Sequence, residues 1–222
     1  MTPMLEIGEM LLSETERKRD YFFRPSLKNI ASIGSPKEIV EVYAILNGSE
    51  FQSLSGSSYF PERLIYSYSQ NLLSCAIKVM SACCSEDISD LVGEFKGWKH
   101  CYVYRPGLLT KFEIITYATS LIEHGVIGKA KVRKLQKNEG RNDFTNEFYA
   151  MEYINAARIH FSMPRAEAEQ LTMTEFQLLL KAKYPEEKGF TREEYDAIMD
   201  ADDQLQEKLI AQEAARLAKN GG

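Results

Sequence analysis

Apolar residues recur at three- and four-residue spacing along most of this chain, a spacing that gathers them on one face of a helix. Ile39, Val42, Tyr43 and Leu46 follow Ser35-Pro36-Lys37-Glu38, where a serine cap, a proline at the first helical position and a glutamate three residues on mark a helix start; Asn47-Gly48 stops it. Ser49 to Ser58 is Ser- and Gly-rich and reads as a surface loop. Leu64, Ile65, Tyr68, Leu72, Cys75, Ile77, Val79 and Met80 predict a helix over Glu62 to Cys84. Thr110-Lys111-Phe112-Glu113 opens another, with Ile114, Ile115, Ala118, Leu121 and Ile122 inward and Gly125 as its close. Phe144, Phe148, Met151, Ala157 and Phe161 form the next stripe, broken at Met163-Pro164. A short helix over Arg165 to Gln170 follows, then a capped one from Thr172-Met173-Thr174-Glu175 to Tyr184, and a last from Thr191-Arg192-Glu193-Glu194.

Two stretches change period. Glu9 to Leu12 pairs with Asp20 to Arg24 in a predicted hairpin, and Leu91 to Phe95 pairs with His100 to Tyr104 about a turn at Lys96-Gly97. Both hairpins end alike. Tyr21-Phe22-Phe23-Arg24-Pro25-Ser26-Leu27 recurs as Tyr102-Val103-Tyr104-Arg105-Pro106-Gly107-Leu108, and each copy runs into a capped helix, with extra loop residues in the first. The chain therefore carries a duplicated hairpin-then-helix unit. Arg24 and Arg105 share a context rich in aromatic residues, and each is expected to act as an internal brace by donating to backbone carbonyls, with paired arginines on an interface as the functional alternative.

Composition bounds the function. The chain has 222 residues, 44% of them hydrophobic, enough for one large domain or two small ones. A net charge of -5 opposes whole-surface attraction to nucleic acid or anionic membrane. No apolar run is long enough to span a bilayer, and Glu6, Glu9 and Glu14 occupy the stretch where a signal peptide needs positive charge, so the expectation is a cytosolic protein. Cys75, Cys83, Cys84 and Cys101 lack metal-binding spacing and read as reduced, buried thiols.

Candidate chemistry is sparse. His100, His124 and His160 lie in separate segments outside any catalytic motif, and His124 beside Gly125 reads as a helix C-terminal residue favoured by the helix dipole. No catalytic residue, cofactor or metal ligand is expected. Lys129, Lys131, Arg133, Lys134 and Lys137 form a basic run: a solvated face is the simplest reading, with a phosphate site or a partner patch as the functional alternatives. The acidic C-terminal helix, with Tyr195, Ile198, Met199, Leu205, Leu209, Ile210 and Leu217 in a narrow stripe, is the better candidate for partner binding or self-association.

Tyr21 to Leu27, Tyr102 to Leu109, Gly125 to Arg133, and Thr172 to Pro185 with Gly189 to Tyr195 together resemble an uncharacterised family of tailed bacteriophages and prophages, over nearly the whole chain. The resemblance implies a place among morphogenesis genes, near the tail genes, and carries no established activity. Met163-Pro164-Arg165-Ala166 followed by Leu171-Thr172-Met173-Thr174-Glu175-Phe176 resembles a pattern in several tail assembly chaperones. Those are small helical proteins that bind the tape measure protein and tail tube components and are absent from the finished particle.

The expected fold is mainly α with small β-hairpins (α+β). Residues 1–140 form the duplicated region, 141–190 a helical region packed on it, and 191–222 a long acidic amphipathic helix. The expected function is a non-enzymatic tail assembly chaperone in the bacterial host cytoplasm. It would engage tape measure or tail tube proteins through Met173, Phe176, Leu179, Leu180, Ile198, Met199, Leu205 and Leu209. Two alternatives stay open: a structural virion component such as a tail completion or connector protein, and a nucleic-acid binding module built on Lys129 to Lys137.

Overall fold

A computed structural model describes residues 2–15, 18–48, 62–98, 101–130, 146–184 and 199. One compact unit comprises Met1–Lys183; a second comprises Tyr184–Gly222, of which Tyr184 and Met199 are described. The protein is mainly helical with two small antiparallel hairpins.

The first unit opens with a 3-10 turn, Leu5–Ile7, closed by Gly8 at φ 89°. β1 (Met10–Glu14) pairs with β2 (Arg19–Phe23), Met10 opposite Phe23 and Glu14 opposite Arg19. Tyr21 and Phe23 alternate inward and are fully buried. The residues expected as a longer loop after this hairpin instead form α1 (Leu27–Ala31), capped by Ser26, whose hydroxyl accepts from the Asn29 N–H. Burial of Leu27 and Ile30 holds this single turn in place. α2 (Pro36–Leu46) has the full capping box, Ser35 and Glu38 each accepting from the other's backbone N–H.

α3 (Glu62–Cys83) turns Leu73, Ala76, Val79, Met80 and Cys83 into the core. Asp87 then accepts from both the N–H and the hydroxyl of Ser89, so Leu91 and Val92, expected in a strand, lie in a one-turn helix, α4 (Ser89–Val92). β3 (Glu94–Trp98) pairs with β4 (Cys101–Arg105). Lys96 and Gly97, expected as the turn, instead lie in the strand opposite Val103 and Tyr102; residues 99–100 lie outside the described residues.

α5 (Lys111–Ile122) starts with the Thr110–Glu113 capping box and buries Ile114, Ala118, Leu121 and Ile122 against α3. It does not stop at Gly125. The chain continues as a π-helical turn, Glu123–Ile127, and Gly128 at φ 80° ends it. A Cβ on Gly125 would come within 2.5 Å of the Ile30 side chain, so this glycine permits close packing on α1.

α6 (Ala150–Phe161) begins later than its apolar stripe suggests, because the Phe148 N–H bonds the Pro36 carbonyl in an extended segment. Phe144 lies outside the described residues. α7 (Arg165–Gln170) and α8 (Met173–Lys183) complete the unit.

Candidate functional site

The strongest polar constellation surrounds Arg24. Phe23 is buried, so strand alternation turns Arg24 to the opposite face, and its N–H is fixed by the Cys83 carbonyl at 2.9 Å. All three guanidinium nitrogens are engaged. Nη1 pairs with Glu9, Nη2 reaches both oxygens of Glu175 at 3.1 and 2.9 Å, and Nε donates to the Gln170 carbonyl at 3.0 Å. Glu9 is buried, and its second oxygen accepts from the Met4 N–H. Glu175 also accepts from the Thr172 N–H at 2.8 Å while the Thr172 hydroxyl accepts from the Glu175 N–H, which makes it the glutamate of the α8 capping box. Beside this fork the Leu27 N–H donates to the Leu171 carbonyl and Ser26 bridges Thr172. The start of α8 is thus seated on the first repeat by an arginine fork and backbone pairing together.

Glu9 was missed in the sequence reading, yet a signal for it exists. Ile7-Gly8-Glu9 and Val92-Gly93-Glu94 precede the two hairpins, and both glycines have positive φ, 89° and 75°. The repeat therefore begins upstream of the strands, and Glu94 and Arg105 are cross-strand partners. Arg105 corrects the expectation of a second brace. It is exposed, Glu94 pairs instead with Lys96, and no described residue bonds the Arg105 side chain. Two arginines in matching local sequence differ because only the first meets the carboxylate of a third element.

His124 also departs from expectation. Its ring is buried in the π turn, with Nδ1 2.9 Å from the Thr174 hydroxyl of α8 and Gly8 packed against the ring. Burial, reinforced by the nearby Lys129 charge, holds the imidazole below its ordinary pKa, with Glu123 opposing weakly. The place of His124 in the last helical turn is as expected; what departs is the burial, which opposes the charge that the helix dipole would favour. The Lys129 N–H donates to the same Thr174 hydroxyl, Gln177 donates to the Ile127 carbonyl, and the Lys129 ammonium pairs with Glu123. Lys131, Arg133, Lys134 and Lys137 lie outside the described residues.

Of the expected partner-binding residues, Met173 and Phe176 are core: they are 3% and 6% exposed, and the Phe176 ring packs edge-on against Tyr153 and Phe161. The reason is that the first turn of α8 faces inward along the Thr172–Glu175 seat. Leu180 is half-buried against the core, while Leu178 and Leu179 are exposed. Met199 is exposed; Ile198, Leu205 and Leu209 lie outside the described residues. The apolar exposure that the sequence assigned to α8 is instead pronounced on α6. Met151 is 46% and Ile159 77% exposed, and Asn155, Arg158, Ile159, Ser162 and Met163 line a shallow depression of about 520 Å³. Ser162, at φ 55°, ends α6 and turns the chain towards Pro164 and α7.

Cys75, Cys83 and Cys84 are buried, and burial pushes the Cys83 thiol well above its ordinary range. Among the described residues no group of three histidine, cysteine or acidic side chains could hold a metal ion, and no helix is long and apolar enough to cross a membrane.

Fold and site together define a helical protein on two unequal hairpin repeats, the first clamped by a later helix and the second by none among the described residues. The chain belongs to a family of unknown function, DUF6246, which matches residues 23–197. No curated protein and no solved structure matches it.

Proposed function

We propose that this protein is a non-enzymatic tail assembly chaperone of a tailed bacteriophage, acting in the host cytoplasm. It binds the tape measure protein or tail tube components through exposed helical surface. The observation that carries the reading is the outward face of α6, where Met151 and Ile159 stand exposed two turns apart beside a depression closed by Met163. Methionine and isoleucine on a helix face suit an apolar helical client, because unbranched Met adapts to varied shapes and each buried side chain contributes about 1.5–3 kcal/mol. The likeness of Met163–Phe176 to tail assembly chaperones supports the same reading. On this geometry the client-binding residues are Met151, Ile159 and Met163 of the α6 end, with Leu178 and Leu179 of α8 beside them in role, in place of the buried Met173 and Phe176.

Co-expression with a phage tape measure protein tests this. The wild-type chain is expected to co-purify with that client and keep it soluble, and the Met151→Asp, Ile159→Asp double variant to lose both effects while melting as the wild type does. Mass spectrometry of purified particles is expected to find the protein absent. Its presence at fixed stoichiometry would instead make it a structural virion component, and failure to capture the client would reject the chaperone reading.

A further inference from the structure

The two repeats are alike in sequence and unlike in what covers them. In the first, the start of α8 lies beside the Arg24-Pro25-Ser26-Leu27 segment: its glutamate at the third helical position, Glu175, takes the Arg24 fork, the Leu27 N–H donates to the Leu171 carbonyl, and the Leu27 side chain is fully buried. In the second, the matching segment is Arg105-Pro106-Gly107-Leu108. Its backbone is satisfied from within, the Leu108 N–H donating to the Asp90 carbonyl and the Leu109 N–H to that of Leu91. Its side chains are not covered. Arg105 is exposed, Leu108 is 55% and Phe112 78% exposed, and Val103, on the same strand face as Arg105, is 58% exposed.

Among the described residues Arg105 has no counter-ion. Glu94, its cross-strand partner, is held by Lys96, and Glu113 is committed to the Thr110 cap. An arginine presents a planar fork that matches a carboxylate bidentately, and the first repeat shows the fork so used by a residue in the same local sequence.

We infer that the Arg105–Phe112 edge of the second repeat is a docking surface for a helix start of the Ser/Thr-x-x-Glu type on another protein. The glutamate of that helix start takes the Arg105 fork, as Glu175 takes that of Arg24, and apolar residues of its first turn lie on Leu108 and Phe112. Among the described residues the chain supplies the matching ligand to one of its two repeats and none to the other. Contact at the second repeat is by side chains, since its backbone seat is already filled. This inference is independent of the tail-chaperone reading and of the α6 face.

The probe is a synthetic peptide with this chain's own sequence from Gln170 to Tyr184, titrated to millimolar concentration into the full-length, isotope-labelled protein. Amide and guanidinium signals of Arg105, Leu108 and Phe112 are expected to shift on binding. Arg105→Gln in the protein, or glutamine in place of the Glu175 carboxylate in the peptide, is expected to weaken binding at least fivefold, while circular dichroism shows the Arg105 variant folded. Absence of binding, shifts confined to the Arg24 segment through displacement of α8, or affinity unchanged by Arg105→Gln would each overturn the inference.

Discussion

Replacing Arg24 by methionine keeps most of the side-chain bulk and removes the fork that joins Glu9, Gln170 and Glu175. Losing one member of a buried ion pair costs about 3–5 kcal/mol, because the partner charge stays desolvated. Two features reduce that here. Arg24 and Glu175 retain side-chain exposures of 25% and 21%, and each carboxylate keeps one backbone donor, Met4 for Glu9 and Thr172 for Glu175. Glu9, at 7%, bears most of the penalty. The expected loss is about 3 kcal/mol, which for a chain of this size lowers the melting temperature by about 6–12 °C. Arg105→Met is the internal control. That side chain is exposed with no described partner, and its replacement should change stability by no more than about 0.5 kcal/mol. Urea unfolding of both variants, with Arg24→Met measured also in a Glu9→Gln background, provides the test. The Glu9→Gln change removes the stranded charge and should recover part of the loss. Equal effects of the two arginine replacements, or a loss below about 1 kcal/mol for Arg24→Met, would refute the account of the clip.

The buried His124 makes stability depend on pH. Its pKa in the folded protein lies below the unfolded value, so the unfolded chain binds the proton more readily; stability is full above the ordinary 6.5 and is lost as pH falls below it. Melting temperatures followed from roughly pH 7.5 to 5 should decline in the wild type and stay flatter in His124→Asn, which keeps a hydrogen-bonding group towards Thr174; parallel curves would show that His124 is not responsible. The capping glutamates Glu38 and Glu113, held low by bonds from the Ser35 and Thr110 backbones, act only at more acidic pH and do not confound that window. Gly125→Ala should cost about 1–3 kcal/mol in urea unfolding through collision with Ile30, and in an Ile30→Ala background, which removes both colliding atoms, Cγ1 and Cδ1, the added alanine should cost less; an unchanged cost would place its origin elsewhere.

What the sequence disclosed was mainly what is decided locally. The caps at Ser35, Thr110 and Thr172 need only four consecutive residues, and each forms as its spacing indicates. The first hairpin was legible because the β-prone run Tyr21-Phe22-Phe23 follows a polar, charge-rich segment and one face of the strand must be buried. The second was misread by two residues: Lys96-Gly97 is a weak turn signal, and the cross-strand pair Phe95 and Tyr104, with rings 5.3 Å apart, fixes a register that keeps both in the strand. α1 escaped notice because one helical turn has no period to detect. The burial of Met173, the isolation of Arg105 and the neutral state of His124 depend on which distant elements come to lie beside them, and no local pattern carries that.

Because Arg24 and Leu27 are satisfied by Glu175 and Leu171, the amino-terminal hairpin depends on residues synthesised near the other end of the unit. Closing a loop of that length carries an entropic cost that is met only when both ends are present. On the ribosome the nascent hairpin has only Glu9 to offer its guanidinium, and the clip can shut fully only after α8 has left the exit tunnel. A chain terminated before Thr172 would lack the latch for its own beginning, so quality control can distinguish complete from interrupted products by whether the first repeat is protected from protease.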